Sequence, residues 1–192
     1  MIAILAAMLL SADATARELV ESCRDMIPRN VEISGELNLR NRRGISLACH
    51  EYVLTRSNAV TRLVVDGKEV VAPEGKEGSL SILGTDVTWS DLSLEYLWWN
   101  DFSFDKEKES ESVHGQKCAV IILKKGDRAV KVWVDRKTGA LMQAEEIDGE
   151  KTLRRLWGTR IKKFGDRWMA NVMEVETIGS GHRTKITVKT LK

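Results

Sequence analysis

The order of apolar and polar residues along the chain predicts one helix followed by a long series of strands. Between residues 16 and 27, apolar side chains recur every three to four positions with charges between them, and Pro28 then interrupts the pattern. That spacing is typical of an amphipathic helix lying on a sheet. From Asn30 onward apolar and polar residues alternate instead, which indicates a half-buried strand.

Turn residues divide the rest of the chain at intervals of roughly a dozen residues, as in an antiparallel meander. Asp66-Gly67 and Asp148-Gly149 are two-residue hairpin sequences. A short helix capped by Thr88 or Ser90 interrupts the strands, and the charged residues 105–111 are predicted to form a solvated loop or hairpin tip. The predicted strands cover residues 31–40, 45–55, 60–65, 69–71, 118–123, 129–134, 141–147, 152–161, 168–178 and 183–191.

These elements predict a mainly β, α+β fold: a curved antiparallel sheet that wraps around the N-terminal helix as an unclosed β-barrel. About ten strands at roughly 4.8 Å spacing are wider than one helix of about 10 Å can cover. The uncovered part of the concave face is therefore predicted to be an apolar groove suited to acyl chains. If the strands alternate, the groove residues are Val31, Ile33, Leu37, Leu39, Leu47, Leu63, Val65, Val120, Ile122, Val130, Val132 and Val134.

Residues 80–99, called the insert below, are rich in Leu and Trp and separate the two groups of strands. They are predicted to contain the short central helix and to act as a lid or plug of the groove when it is empty. The side chains assigned to this role are Leu83, Trp89, Leu92, Leu94, Tyr96, Leu97 and Trp98.

Composition narrows the class of protein further. Of the 192 residues, 43% are hydrophobic and 30% are charged, which excludes an intrinsically disordered chain. The 30 basic and 28 acidic residues nearly balance and alternate in sign, so no nucleic-acid partner is expected. The basic segment 151–163 around Trp157 is accordingly interpreted as a solvated sheet face.

The first residues read as an apolar run of ten followed by Ala12-Asp13-Ala14, which is typical of a signal peptide and its cleavage site. The predicted organisation is a signal peptide at residues 1–14 and a single domain at residues 15–192. The protein is then exported, soluble and periplasmic. The alternative is an apolar N-terminal helix that packs on the fold.

No set of residues in the sequence points to catalysis or to metal binding. His50, His114 and His182 share no metal-ligand spacing, and no nucleophile elbow or phosphate-binding loop is present. Cys23, Cys49 and Cys118 match no zinc pattern; one pair could form a disulfide, but buried free thiols are the preferred interpretation. We therefore expect no catalytic residue, no metal and no cofactor.

The segment Gly84-Thr-Asp-Val-Thr-Trp-Ser-Asp-Leu92 resembles the Gly-Ser-Asp-Phe-Ser-Tyr-Glu-Asp-Leu motif of outer-membrane lipoprotein-sorting proteins, the LolA-like family. The later hairpins also resemble that family's C-terminal part. Val87 stands where the motif has an aromatic residue, and Ser90 stands where it has an acid. The residues that carry the resemblance are Gly84, Asp86, Trp89, Asp91, Leu92, Trp133, Asp135, Gly149 and Trp168.

The resemblance implies an unclosed antiparallel barrel with helices across its mouth. It also implies a monomeric periplasmic carrier for acylated lipoproteins or lipids, which receives them from an inner-membrane transporter and delivers them to an outer-membrane acceptor. The alternative is a regulatory module of the cell envelope that senses lipids or lipoproteins. An enzyme acting on envelope lipids is a third hypothesis, which the missing catalytic set disfavours.

Overall fold

The computed structural model describes residues 14–57, 60–71, 81–165 and 167–192, with only the backbone at 167 and 168. The predicted signal-peptide residues 1–13, Leu80 at the start of the insert and the side chain of Trp168 lie outside the described residues.

Helix α1 spans Ala16–Met26 and begins at a capping box. The backbone N–H of Glu18 donates to the Thr15 hydroxyl at 3.3 Å, and the Thr15 N–H donates to the Glu18 carboxylate at 2.7 Å. These bonds satisfy two donors that a helix start otherwise leaves unpaired. Leu19, Val20 and Cys23 form the buried face.

The described residues form one twelve-stranded antiparallel sheet with few helices. Its strands are β1 (Asn30–Asn41), β2 (Ser46–Ser57), β3 (Val60–Val65), β4 (Lys68–Val70), β5 (Asp101–Phe104), β6 (Ser110–Val113), β7 (Gln116–Lys125), β8 (Arg128–Asp135), β9 (Leu141–Asp148), β10 (Lys151–Phe164), β11 (Arg167–Thr177) and β12 (His182–Leu191). Helix α2 (Trp89–Ser93) and a 3₁₀ turn (Glu95–Trp98) lie between β4 and β5.

The strands lie in the order β4-β3-β2-β1-β12-β11-β10-β9-β8-β7-β5, and β6 pairs with β7 as well. Two consecutive meanders are thus joined where the first strand pairs with the last, for example at Leu37 opposite Ile186. The sheet does not close, because β4 lies at one end of this order and β5 at the other. The predicted mainly β, unclosed architecture is confirmed.

The sheet has a core on each face. The main core lies between the sheet, α1 and the insert, and contains Leu37, Leu63, Val132 and Ile186 with no exposed surface. We call this side the inner face. A smaller core on the opposite, outer face contains Val113, Cys118, Val120 and Trp133.

Candidate functional site

The inner face of the sheet is the candidate site, and the insert covers part of it. Residues 81–99 place several apolar side chains into the main core together with inner-face residues of the strands. Those that are at most 8% exposed are Ile82, Val87, Trp89, Tyr96, Leu97 and Trp99. The part of the inner face under the insert is therefore filled by the protein's own side chains.

Most of the groove residues expected from the sequence lie on this inner face. Leu37, Leu63, Val65, Val130, Val132 and Val134 are at most 4% exposed within the main core. Val31 is 7% exposed, Ile33 packs against the core, and Leu39 is half-buried. Their strands place these side chains together, and whether they bind a ligand stays a prediction.

Three residues of the predicted set do not share that face. Val132 lies opposite Ile121, so Val120 and Ile122 point to the other side of β7. Val120 belongs to the outer core beside Trp133, which is its cross-strand partner. Leu47 is 58% exposed near the β1–β2 turn, where the strand register shifts after Leu39. The prediction of one common face is wrong for these three positions.

The residues assigned to the lid separate into two groups. Trp89, Tyr96 and Leu97 are buried in the main core, and Leu92 and Leu94 pack against it. By contrast, Leu83 is 55% exposed and Trp98 is 47% exposed.

Asp86 of the insert connects it to the end of the β11–β12 hairpin. Its carboxylate is fully buried and accepts hydrogen bonds from the Thr184 hydroxyl at 3.0 Å, from His182 Nδ1 at 2.9 Å and from the Thr177 N–H at 3.1 Å. The N–H of Asp86 donates in turn to Thr184 Oγ1 at 2.9 Å. A buried carboxylate with this many donors holds the insert in one position.

Asp91 forms the second polar connection between the insert and the sheet. Its carboxylate accepts from the Thr88 N–H at 2.7 Å as part of the α2 capping box, and it also forms an ion pair with Arg154 of β10. Arg154 donates further to the carbonyl of Asp86 and to the Thr88 hydroxyl. Both side chains of the ion pair are 11% exposed. Asp86 and Asp91, the two acids of motif residues 84–92, thus both connect the insert to the sheet.

Further arginines bind main-chain carbonyls of the insert. Arg24 of α1 donates to the carbonyl of Leu97 at 2.6 Å, and Arg56 of β2 donates to the carbonyl of Ser93 at 2.6 Å. Burial lowers the pKa of Arg56. Arg128 of β8 forms an ion pair with Glu95 at 2.8 Å. These bonds satisfy carbonyl and charged groups that the short helical turns leave unpaired.

The other motif residues build turns or the outer face. Gly84 has φ +71° and follows Leu83 at φ +48°, so the pair forms a tight turn with both central residues left-handed. Asp135 closes the β8–β9 turn by accepting from the Thr138 hydroxyl at 2.6 Å. Gly149, with φ +59°, lies in the turn between β9 and β10. Trp133 belongs to the outer core.

Two segments interpreted from sequence as solvated contain buried charges. Arg154 lies within the basic segment 151–163 but points to the inner face. Asp105 begins the charged stretch 105–111, yet it is 5% exposed and pairs with Lys131 at 2.7 Å. The hydrogen bond from Lys131 lowers the pKa of Asp105. Arg154 and Asp105 are exceptions: the other charged residues of both segments are mainly exposed, as predicted.

The outer face carries a cavity of about 510 Å³ that the sequence did not reveal. Two rows of cross-strand neighbours on β8, β9 and β10 form its floor: Trp133, Gln143 and Trp157 in one, and Lys131, Glu145 and Arg155 in the other. Asp105, Lys108, Glu111, Ser112, Val113, His114 and Val120 complete the lining.

The contacts between the insert and the sheet that the sequence did not predict are mainly made by arginines. Arg56 and Arg154 lie opposite apolar or inward-facing positions of neighbouring strands, Val31 and Glu146 respectively. A charged residue at an inward strand position was the available signal, because such a charge needs a partner from another element. Using that signal requires knowing which residues of the strand point inward. Arg154 and Arg155 are adjacent and point to opposite faces, so the sequence does not tell which of them is the inward one.

Among the residues that the structure describes, no group of His, Cys, Asp or Glu is arranged to hold a metal ion. In the same part of the chain, no helix combines the length and apolar character that a membrane crossing requires.

A family model described as "Uncharacterized protein" matches residues 67–192. No curated protein matches the chain. Solved structures are similar over nearly the whole chain. A LolA superfamily protein from Nitrosomonas europaea is 13% identical, with 93% of each chain covered and a TM-score of 0.74.

A DUF1329 family protein from Desulfovibrio piger is 14% identical, with 93% of this chain and 92% of that chain covered and a TM-score of 0.66. A domain described as an outer membrane lipoprotein-sorting protein, from Vibrio parahaemolyticus, is 17% identical, with 90% and 91% covered and a TM-score of 0.64. These likenesses confirm at the level of the fold the resemblance found in the sequence.

Proposed function

We propose that this chain, which belongs to the family described as "Uncharacterized protein", is a carrier for acyl chains of lipoproteins or lipids. Its LolA-like fold supports this proposal. The acyl chains bind to the inner face of the sheet, and the insert occupies that face when no cargo is present. The neighbour from Vibrio parahaemolyticus is described as a lipoprotein-sorting domain, which supports this choice of cargo.

One observation carries the proposal: an apolar sheet face is covered by an irregular segment that polar contacts hold in place. Asp86, Asp91 and four arginines supply these contacts at the edges of the insert. The apolar side chains of the insert then meet the sheet without any covalent link. A segment of this kind can be exchanged for an apolar ligand if the ligand buries comparable area.

The free energy gained by burying the insert is similar to that gained by burying one acyl chain. Six buried apolar side chains of the insert, at about 1.5–3 kcal/mol each, contribute about 9–18 kcal/mol. One acyl chain of about 15 methylenes, at roughly 0.8 kcal/mol each, contributes about 12 kcal/mol. Cargo binding can therefore offset most of the apolar burial that is lost when the insert is displaced.

The carrier acts in the periplasm, between an inner-membrane transporter and an outer-membrane acceptor. The apolar run and small-residue cleavage pattern of residues 1–14 support export. Shielding of acyl chains from water requires burial and exchange and no catalytic residue, so the proposed activity is binding without turnover.

A reversible disulfide tests the displacement directly. Asp86 and Thr184 are in side-chain contact, with Oδ2 3.0 Å from Oγ1. The variant Asp86→Cys/Thr184→Cys, with Cys49→Ser to remove the exposed thiol, ties the insert to β12 when oxidised. We expect oxidation to weaken binding of a synthetic triacylated lipopeptide at least tenfold, and reduction to restore it. The measurement is a fluorescence titration of the same protein in both redox states.

The matched control is Glu36→Cys/Glu51→Cys in the same background. These residues are direct cross-strand neighbours on β1 and β2, so their disulfide does not touch the insert. Its oxidation should leave lipopeptide binding unchanged. Equal binding by the oxidised and reduced forms of the first variant, or no lipopeptide binding by the wild type, contradicts the proposal. Val132→Asp is unsuitable as a test, because a charge at this fully buried position disrupts the main core.

A further inference from the structure

The outer-face cavity is a second site, separate from the proposed acyl-chain face. It lies on the opposite side of the sheet from the insert, since Trp133 and Val120 point away from the inner-face pair Val132 and Ile121. Its volume of about 510 Å³ falls within the roughly 300–1,000 Å³ that small-molecule pockets occupy. Ligand binding in this cavity would not depend on the proposed carrier function.

Two indoles border the cavity at a fixed spacing. Trp133 and Trp157 are both cross-strand neighbours of Gln143, so two strand spacings of about 4.8 Å separate their backbones. Trp133 donates from Nε1 to Glu111 at 2.9 Å, and the guanidinium of Arg183 lies over Trp157 at 4.9 Å from the ring centroid. These contacts fix the orientation of both rings, with a side-chain amide between them.

The charges around the cavity balance one another. Its lining includes three acids, Asp105, Glu111 and Glu145, and three bases, Lys108, Lys131 and Arg155. Lys131 pairs with Asp105 at 2.7 Å, and Arg155 pairs with Glu145 at 2.5 Å. Glu111 lies 3.9 Å from Lys108. Because each of the three acids has a cationic partner, the site offers no surplus charge to an ionic ligand.

The balanced lining favours a neutral ligand that both donates and accepts hydrogen bonds. Glu145, which is 6% exposed, also accepts from Gln143 and Thr152, at 2.8 Å each. Acceptors and donors therefore alternate over a few ångströms along the floor. A hydroxyl group has one donor and two acceptor positions, so it matches such a surface.

From this geometry we propose that the outer-face cavity binds a neutral saccharide. A sugar ring presents hydroxyl groups around its rim and an apolar C–H face, and the C–H face packs against an indole. The half-buried Trp157 supplies the stacking indole, and Trp133, which is 5% exposed, only lines the floor of the cavity. Gln143, Glu145 and Lys131 supply hydrogen bonds to the hydroxyls.

The experiment uses maltose and N,N′-diacetylchitobiose as probes, with saturation-transfer NMR and calorimetric titration of the full chain. We expect at least one disaccharide to bind saturably. Gln143→Ala should weaken that binding at least tenfold, and Trp157→Leu should do the same. Both positions are half-buried, so the variants are expected to fold. Trp98→Ala is the matched control, since it removes an exposed indole from the insert and should change the affinity less than twofold.

Phosphocholine is the third probe and separates a neutral from a zwitterionic ligand. Binding of phosphocholine with no binding of either disaccharide overturns the proposal, as does failure of all three probes on folded protein. Equal disaccharide affinity for the wild type and Gln143→Ala also overturns it. Lipopeptide binding by the disulfide variants is measured separately, so this result and the carrier test fail independently.

Discussion

At the scale of single residues, burial decides which groups are chemically available. Cys23 is 2% exposed and its Sγ lies 3.0 Å from the carbonyl oxygen of Gly139, while Cys118 has no exposed surface. Burial raises the pKa of Cys23 to about 12 and that of Cys118 to about 11. Only thiolates react readily with disulfide reagents. Cys49 is exposed, and all three cysteines are free.

We therefore expect an aromatic disulfide reagent at pH 8 to react rapidly with one thiol per native chain and with three after denaturation. Partial burial and neighbouring carboxylates raise the pKa of Cys49 too, so its rate should increase as the pH rises above 8. In Cys49→Ser the rapid phase should disappear. A single reactive thiol after denaturation would reveal a disulfide and contradict the prediction.

At the scale of elements, strands β1 and β12 lie too close together at Gly35 to accept any side chain at that position. Gly35 lies in β1 where its register with β12 shifts. A Cβ atom there would lie 1.9 Å from the carbonyl oxygen of Thr187 and 2.8 Å from Cε1 of Tyr52. The nearer atom belongs to the backbone, so relief requires the two strands to separate.

Gly35→Ala is expected to lower the free energy of unfolding by about 3 kcal/mol, at the upper end of the range for overpacked sites. The comparison is Gly158→Ala on β10, where the new Cβ would meet Ala170 at an ordinary 3.4 Å. That change should stay within roughly 0.5 kcal/mol of the wild type. Urea denaturation of both variants measures the difference, and similar losses for the two would rule out the backbone clash.

The elements also show which parts of the fold were readable from sequence. The alternation of apolar and polar residues predicted β1 and β8 correctly, and the helical spacing predicted α1. The turns at Asp66-Gly67 and Asp148-Gly149 were also predicted. On β7, however, Cys118–Leu123 are all apolar, because one half of them faces the main core and the other half the outer core. A strand buried on both faces has no alternation, so its phase could not be assigned.

The candidate site was less predictable than the fold. The β9–β10 register shifts between Thr152 and Arg154, and this irregularity decides which of Arg154 and Arg155 faces inward. No pattern in the local sequence predicts such a register shift. The outer-face cavity likewise depends on β5 and β6 folding onto β7, a pairing that the charged sequence of residues 105–111 conceals.

At the scale of the whole molecule, Arg154 connects parts of the chain that are distant in sequence. It joins β10 to Asp91 and to the carbonyl of Asp86, and the Asp86 carboxylate continues to the β11–β12 hairpin. The ion pair is 11% exposed on each side. Removal of one partner of a buried pair leaves the other charge without compensation.

Arg154→Met is expected to destabilise the protein by about 3–5 kcal/mol. Asp91→Asn added to Arg154→Met should recover part of that loss, because one of the two carboxylates that Arg154 pairs with, Asp91 and Glu146, is then neutral. Arg62→Met is the control: its pair with Glu69 is 61% and 53% exposed, and such pairs contribute at most about 1 kcal/mol. Chemical unfolding followed by tryptophan fluorescence measures all three, and equal losses for Arg154→Met and Arg62→Met contradict the prediction.

The pairing of β1 with β12 has a consequence for when the protein can fold. Some 150 residues separate the partners, for example Leu37 and Ile186, so the closing step brings together distant parts of the chain. The first four strands can pair among themselves during synthesis, but β1 keeps an open edge until the last strand has emerged. Contacts of such high sequence separation slow folding. The half of the sheet made by the first four strands therefore stays incomplete until synthesis of the chain is finished.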